Sequence, residues 1–131
     1  MIVKLKNKAI SENLILKYCN ELSKDREIHL DLDADYLVIC LYINNNGSVL
    51  AFCLNKYEHI AEYPLDLFEI KDNSVSSYWL MKFKENGDIT FFPKEFYDNE
   101  YFLDDLSEDD PKTVLQFHDL INRLKAEQKF T

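Results

Sequence analysis

One stretch constrains this chain more than any other. Tyr36-Leu37-Val38-Ile39-Cys40-Leu41-Tyr42-Ile43 is apolar on both faces, and Asn44-Asn45-Asn46-Gly47 follows it directly. A run that is apolar on both sides reads as an interior strand. The Asn/Gly cluster is a strong turn signal, so Ser48 to Leu54 returns as a second strand. A two-residue Asn46-Gly47 turn sets Cys40 opposite Cys53; a four-residue loop sets Cys40 opposite Ala51. In both registers Leu37, Ile39, Leu41 and Ile43 share a face with Leu50, Phe52 and Leu54, so the pattern leaves the choice open.

A second hairpin is expected from Ser77 to Phe92, with Glu85-Asn86-Gly87 at its tip. Here the pattern decides. A three-residue loop with Gly87 in the left-handed region pairs Phe83 with Ile89 and Met81 with Phe91. That register collects Trp79, Met81, Phe83, Ile89 and Phe91 on one face, and a one-residue slip scatters them. Ile28, Leu30 and Leu32 alternate with His29, Asp31 and Asp33 as in a strand.

Two helices complete the reading. Ser11 caps one that runs to about Lys24, with Ile10, Leu14, Ile15, Tyr18, Cys19 and Leu22 on its apolar face. Asp110 and Pro111 are an N-cap and first-position pair for the last helix, whose expected buried stripe is Val114, Phe117, Ile121 and Leu124. Lys125 and Lys129 suit the negative end of its dipole. The fold expected is α+β: an antiparallel β-sheet with an N-terminal and a C-terminal helix, in one domain spanning residues 1–131.

Composition narrows the class of function. At 131 residues with 47% hydrophobic side chains, the chain can bury a core without metal or disulfide staples. No apolar stretch approaches the roughly 18 residues that span a bilayer, and residues 1–6 lack the apolar run of a signal peptide. Three cysteines, Cys19, Cys40 and Cys53, are odd in number and widely spaced, which fits reduced thiols in the cytoplasm.

The net charge of −9 is concentrated. Residues 1–56 balance at seven basic and seven acidic side chains, whereas residues 57–110 carry four basic and fifteen acidic. Phosphate contacts need Lys and Arg, so direct nucleic-acid binding is disfavoured and a basic protein partner is favoured.

Catalytic and cofactor signals are absent from the pattern. Asp31-Leu32-Asp33-Ala34-Asp35 opens like a calcium loop, but Tyr36 stands where the loop needs Gly and Tyr42 where it needs a bidentate Glu. His29, His59 and His118 form no metal- or protease-type pair, and two glycines in the whole chain cannot build a phosphate loop. No cofactor is expected.

The most informative segment runs from Tyr97 to Asp110, with seven acids, no base and three interleaved aromatics. Its bland reading is a solvated loop entering the last helix. Its functional reading is a docking surface in which Tyr97 and Tyr101 anchor while Asp98, Glu100, Asp104, Asp105, Glu108 and Asp109 steer. Glu58, Glu62, Asp66 and Glu69 could extend that surface.

Small size, acidity, tyrosines beside carboxylates and no catalytic set together resemble the immunity proteins of bacterial toxin–immunity systems. The resemblance lies in overall character along the chain rather than in a motif. It implies stoichiometric inhibition of a basic toxin, often a nuclease, whose phosphate-holding residues the carboxylates would occupy. A phage-type inhibitor or nucleic-acid mimic, and a small ligand-binding domain or enzyme, are the alternative readings.

Overall fold

The structure, a computed structural model, describes residues 1–6 and 28–130. The expected helix from Ser11 to Lys24 lies outside the described residues. Among the described residues seven strands form one antiparallel sheet: β1 Ile2–Leu5, β2 Asp35–Ile43, β3 Val49–Leu54, β4 Ile60–Pro64, β5 Phe68–Asp72, β6 Trp79–Phe83 and β7 Ile89–Pro93. A 3₁₀ turn, Leu65–Leu67, joins β4 to β5. Helices α1 Lys94–Asp98, α2 Phe102–Ser107 and α3 Pro111–Gln128 follow. The architecture is the α+β, single-sheet arrangement with a C-terminal helix that the sequence implies.

The doubly apolar β2 is the axis of the fold. One of its edges is bonded by β3; the other is shared, with β1 along Asp35–Leu37 and β7 along Leu41–Ile43. Where the partner changes, between Val38 and Cys40, the β2–β3 register shifts by one residue. The Ile39 carbonyl accepts a hydrogen bond from the Trp79 indole nitrogen at 2.6 Å instead. Such an irregularity also turns side chains to the other face.

The first hairpin differs from both expected registers. Cys40 faces Phe52, neither Cys53 nor Ala51, because the loop has three residues rather than two or four. The single aliphatic face does not survive the register shift. Leu41 and Ala51 pack with Val38 and Cys53 in one core, whereas Leu37, Ile39 and Cys40 pack with Phe52 and Leu54 in another. The second hairpin has the expected three-residue loop, with Phe83 opposite Ile89 and Met81 opposite Phe91.

Each core covers one face of the sheet. The first gathers Val3, Leu5, Val38, Tyr63, Leu67, Phe68 and Trp79. The second lies under the helices, where Phe117, Leu120, Ile121 and Leu124 of α3 meet Leu37 and Ile39. Val114 is only half-buried; Thr113 and Leu120 complete the stripe that was expected to include it. Asp110 caps α3 by accepting from the Thr113 N–H at 3.0 Å, and Lys129 closes it in the left-handed conformation.

Residues 28–33 are not a strand. His29 has φ of 60°, which interrupts extension, and the neighbouring backbone bonds to side chains. The Ile28 carbonyl accepts from the Tyr63 hydroxyl at 2.7 Å, and the Asp31 N–H donates to the Tyr36 hydroxyl at 2.7 Å. The acidic segment is not a plain loop either: it holds the end of α1 and the whole of α2, pinned by the buried rings of Phe96 and Phe102.

Candidate functional site

Three hairpins in this sheet share one loop geometry. In each, the residue before the loop bonds the residue after it, and the third loop residue sits in the left-handed region. The Asn44 N–H bonds the Ser48 carbonyl, Asn55 bonds His59, and Lys84 bonds Asp88, at 2.8, 2.9 and 2.8 Å. The left-handed position is Gly47 in the first loop and Gly87 in the third, both with φ of 90°. In the middle loop it is Glu58, with φ of 61°.

Glycine is the ordinary occupant of that position, since a side chain there costs about 1–2 kcal/mol. Buried Asn55 holds the strained loop by accepting from the Tyr57 and His59 N–H groups at 2.9 and 3.2 Å.

Glu58 stands on the rim of a groove of about 830 Å³ between the β3–β4 hairpin and helices α2 and α3. Phe52, Ile60, Leu103, Leu106, Val114 and Phe117 make its apolar lining. Around them stand Glu58, Glu62 and Asp109 with His59 and His118. Asp109, also on this groove, is left-handed too, with φ of 57°, held between α2 and α3 by its N–H to the Leu106 carbonyl at 3.1 Å.

The lining is stiff for a reason legible in its packing. Phe52, Phe92, Phe96, Phe102 and Phe117 form a continuous aromatic chain, with successive ring centroids 6.2, 5.9, 4.8 and 6.4 Å apart. Both ends of that chain, Phe52 and Phe117, face the groove. Arg123 of α3 reaches Glu95 of α1 at 2.6 Å, and the charge-assisted bond holds the guanidinium pKa above its ordinary value. The floor is therefore braced from sheet to last helix.

The residues singled out from the sequence separate into four settings. Tyr97 is engaged within the fold: its hydroxyl donates to the Leu80 carbonyl at 2.8 Å and bonds the Thr90 hydroxyl at 2.6 Å. Its ring stacks on Phe92, with the Lys82 ammonium 4.2 Å from the ring centre. Asp98 pairs with exposed Lys94 at 3.4 Å. With Asp105, which accepts from the Asn99 amide at 3.0 Å, it lines a smaller depression that also holds Glu95, Asp110 and Lys112.

Glu100, Asp104 and Glu108 are exposed on the surface around α2, and the Tyr101 ring is 59% exposed beside them. Asp109 alone of the eight lies in the larger groove, where it meets Glu58 and Glu62 from a distant part of the chain. Asp66 and Glu69 are exposed on the 3₁₀ turn and β5, outside that groove. His59 and His118, which form no metal- or protease-type pair in the sequence, share the rim. The hidden signal was Asn55-Lys56-Tyr57-Glu58-His59, a loop of the same length as Asn44–Ser48.

Asp110 and Asp88 have carboxyls held below the ordinary range, for local reasons. Asp110 accepts first from the Thr113 hydroxyl and then from its N–H. Asp88 is buried at the joint of two hairpin loops, where the Tyr42 hydroxyl donates to it along with the Asn45 N–H and the Asn86 amide. Both serve the scaffold. Searches against protein-family models, curated proteins and solved structures returned no match, so the site speaks through its geometry.

Proposed function

We propose that this chain works by binding, as an immunity-type inhibitor that occupies the basic, phosphate-holding cleft of a toxin. One observation carries the reading. At the left-handed loop position where its sister hairpins have glycine, the chain places a glutamate, and that glutamate lines an apolar-floored groove together with a second left-handed acid, Asp109. Backbone strain retained at a surface position is the kind of outlier from which a functional hypothesis starts.

Groove and surface divide the work. A partner's apolar side chain would enter between Leu103, Leu106 and Phe117 while Lys or Arg at its margin meets Glu58, Glu62 and Asp109. Asp104 and Glu108 on the adjoining surface extend the same negative field, and the exposed Tyr101 ring lies among them. Like charges gathered this way raise the association rate of a basic partner, and salt weakens the effect.

The test removes four of the acids without touching the floor. Asp104→Asn, Asp105→Asn, Glu108→Gln and Asp109→Asn, combined, should slow association with the partner about tenfold and flatten its salt dependence. Folding should be unaffected as judged by circular dichroism. Unchanged association kinetics would reduce the acids to a solvated surface.

A further inference from the structure

The groove beside β4 runs along the edge of that strand rather than across its face, and this limits the shape of what can fill it. Glu58, His59, Ile60, Ala61 and Glu62 all border it. Successive strand residues point to opposite faces. Ile60 packs with the core under the helices and Ala61 with the other core, yet both line the groove. One cavity meets both only along the outer edge of the strand.

Among the described residues β4 pairs with β3 alone. The His59 carbonyl accepts from the Asn55 N–H at 2.9 Å. By antiparallel alternation His59, Ala61 and Tyr63 bond across to β3, and Ile60 turns its N–H and C=O outwards. Pro64 belongs to the same outward series and has no N–H to present, which is where a strand edge accepts proline. The peptide groups of Ile60 therefore face the groove, and no other described residue bonds them.

We infer that the groove takes an extended segment of the basic partner, laid antiparallel along β4 and bonded to it at Ile60. The inference rests on the binding reading above and adds the conformation and the pattern of what binds. One residue of the segment, opposite Ile60, exchanges both backbone bonds with it. Its side chain shares the Ile60 face, over Leu106 and Phe117, and is apolar. The residues two places before and after it lie on that face too and reach Glu62 and Glu58 at either end, so each is Lys or Arg.

Charge fixes the sign of those two positions. Glu58, Glu62 and Asp109 line the groove, and no lysine or arginine does. Backbone chemistry fixes the conformation. A helix bonds its own peptide groups and would leave those of Ile60 unmet in the filled groove, whereas an extended segment satisfies them.

The probe is the peptide acetyl-Thr-Arg-Thr-Leu-Thr-Arg-Thr-amide, titrated into the full chain by calorimetry at low salt and neutral pH. Two relatives alter the probe alone, so the fold of the protein is untouched. One has the same composition with the arginines adjacent, and the other is methylated on the leucine amide nitrogen. The patterned peptide should bind with a Kd below about 1 mM, and each relative at least about tenfold more weakly. Hydrogen exchange at the Ile60 amide, read by NMR, should slow when the patterned peptide is bound. No binding at about 1 mM, equal binding of the three peptides, or binding that leaves the Ile60 exchange unchanged would overturn the inference. The Glu58→Gln, Asp109→Asn double variant separates this inference from the reading it rests on. If the three peptides bind equally and the variant weakens all of them, the acidic groove stands and the extended geometry falls. If the variant weakens none of them, both fall.

Discussion

Replacing Glu58 by glycine should make the protein more stable and, on the proposed function, a poorer binder. The backbone at Glu58 has φ of 61°, a conformation that costs a side-chain-bearing residue about 1–2 kcal/mol. Glycine removes that cost but gives back about 0.4–1 kcal/mol through the greater freedom of the unfolded chain. The difference is a gain of roughly 0.5–1 kcal/mol, or about 2–4 °C in melting temperature for a chain of this size.

Glu58→Gln supplies the control. It removes the same charge from the rim shared with Glu62 and Asp109, and keeps the strain. The quantity to read is therefore the stability difference between the two variants, from urea midpoints and calorimetry at neutral pH. Glu58→Gly no more stable than Glu58→Gln would refute the strain argument, and with it the reason for singling out this loop. Gly47→Ala gives the converse: an added methyl meets open space at φ of 90°, so a loss of about 1 kcal/mol would come from conformation alone.

Three further outcomes follow from the scaffold. Trp79→Phe should cost about 1–3 kcal/mol in denaturant unfolding, because it leaves the buried Ile39 carbonyl without its donor. Folding stability should decline in acid. Asp110 and Asp88 have folded-state pKa values below the unfolded value of about 3.9, so what they contribute is present above it and lost as pH falls through the folded values. Asp110→Asn, which keeps a capping oxygen, should flatten that acid limb. Burial raises the Cys40 thiol pKa and pushes Cys53 up to about 12, so both should resist alkylation in the native protein at pH 8 and react once it is unfolded, as read by mass spectrometry in a Cys19→Ser background.

How far the fold was legible depended on whether a local pattern had one solution. In the β6–β7 hairpin a single register gathers Trp79, Met81, Phe83, Ile89 and Phe91, so loop length followed from side chains. In β2–β3 the register irregularity at Val38 and Cys40 sends flanking apolar residues to opposite cores, and a strand apolar on both faces tolerates that without leaving a trace in its pattern. Asp110 and Pro111 announced the last helix. β1, β4 and β5 are short and half-polar, and their places depend on partners far along the chain.

The same distance hid the groove. Asp109 stood out within a run of acids, but its neighbours Glu58, His59 and His118 come from elements that only the folded sheet brings together. Tyr97 shows the reverse: an aromatic beside carboxylates, conspicuous in sequence, whose hydroxyl and ring are used to dock α1 on β6 and β7.

The most direct test of the central claim is capture from native-source lysate at low and high salt. The bait would be the wild-type chain beside its Glu58→Gln, Asp109→Asn double variant, with bound proteins identified by mass spectrometry. The proposed function predicts one basic protein in near-stoichiometric amount on the wild type at low salt, depleted at high salt and weakly held by the double variant. Equal recovery of that protein on both baits, or a recovered partner that is acidic and indifferent to salt, would contradict it.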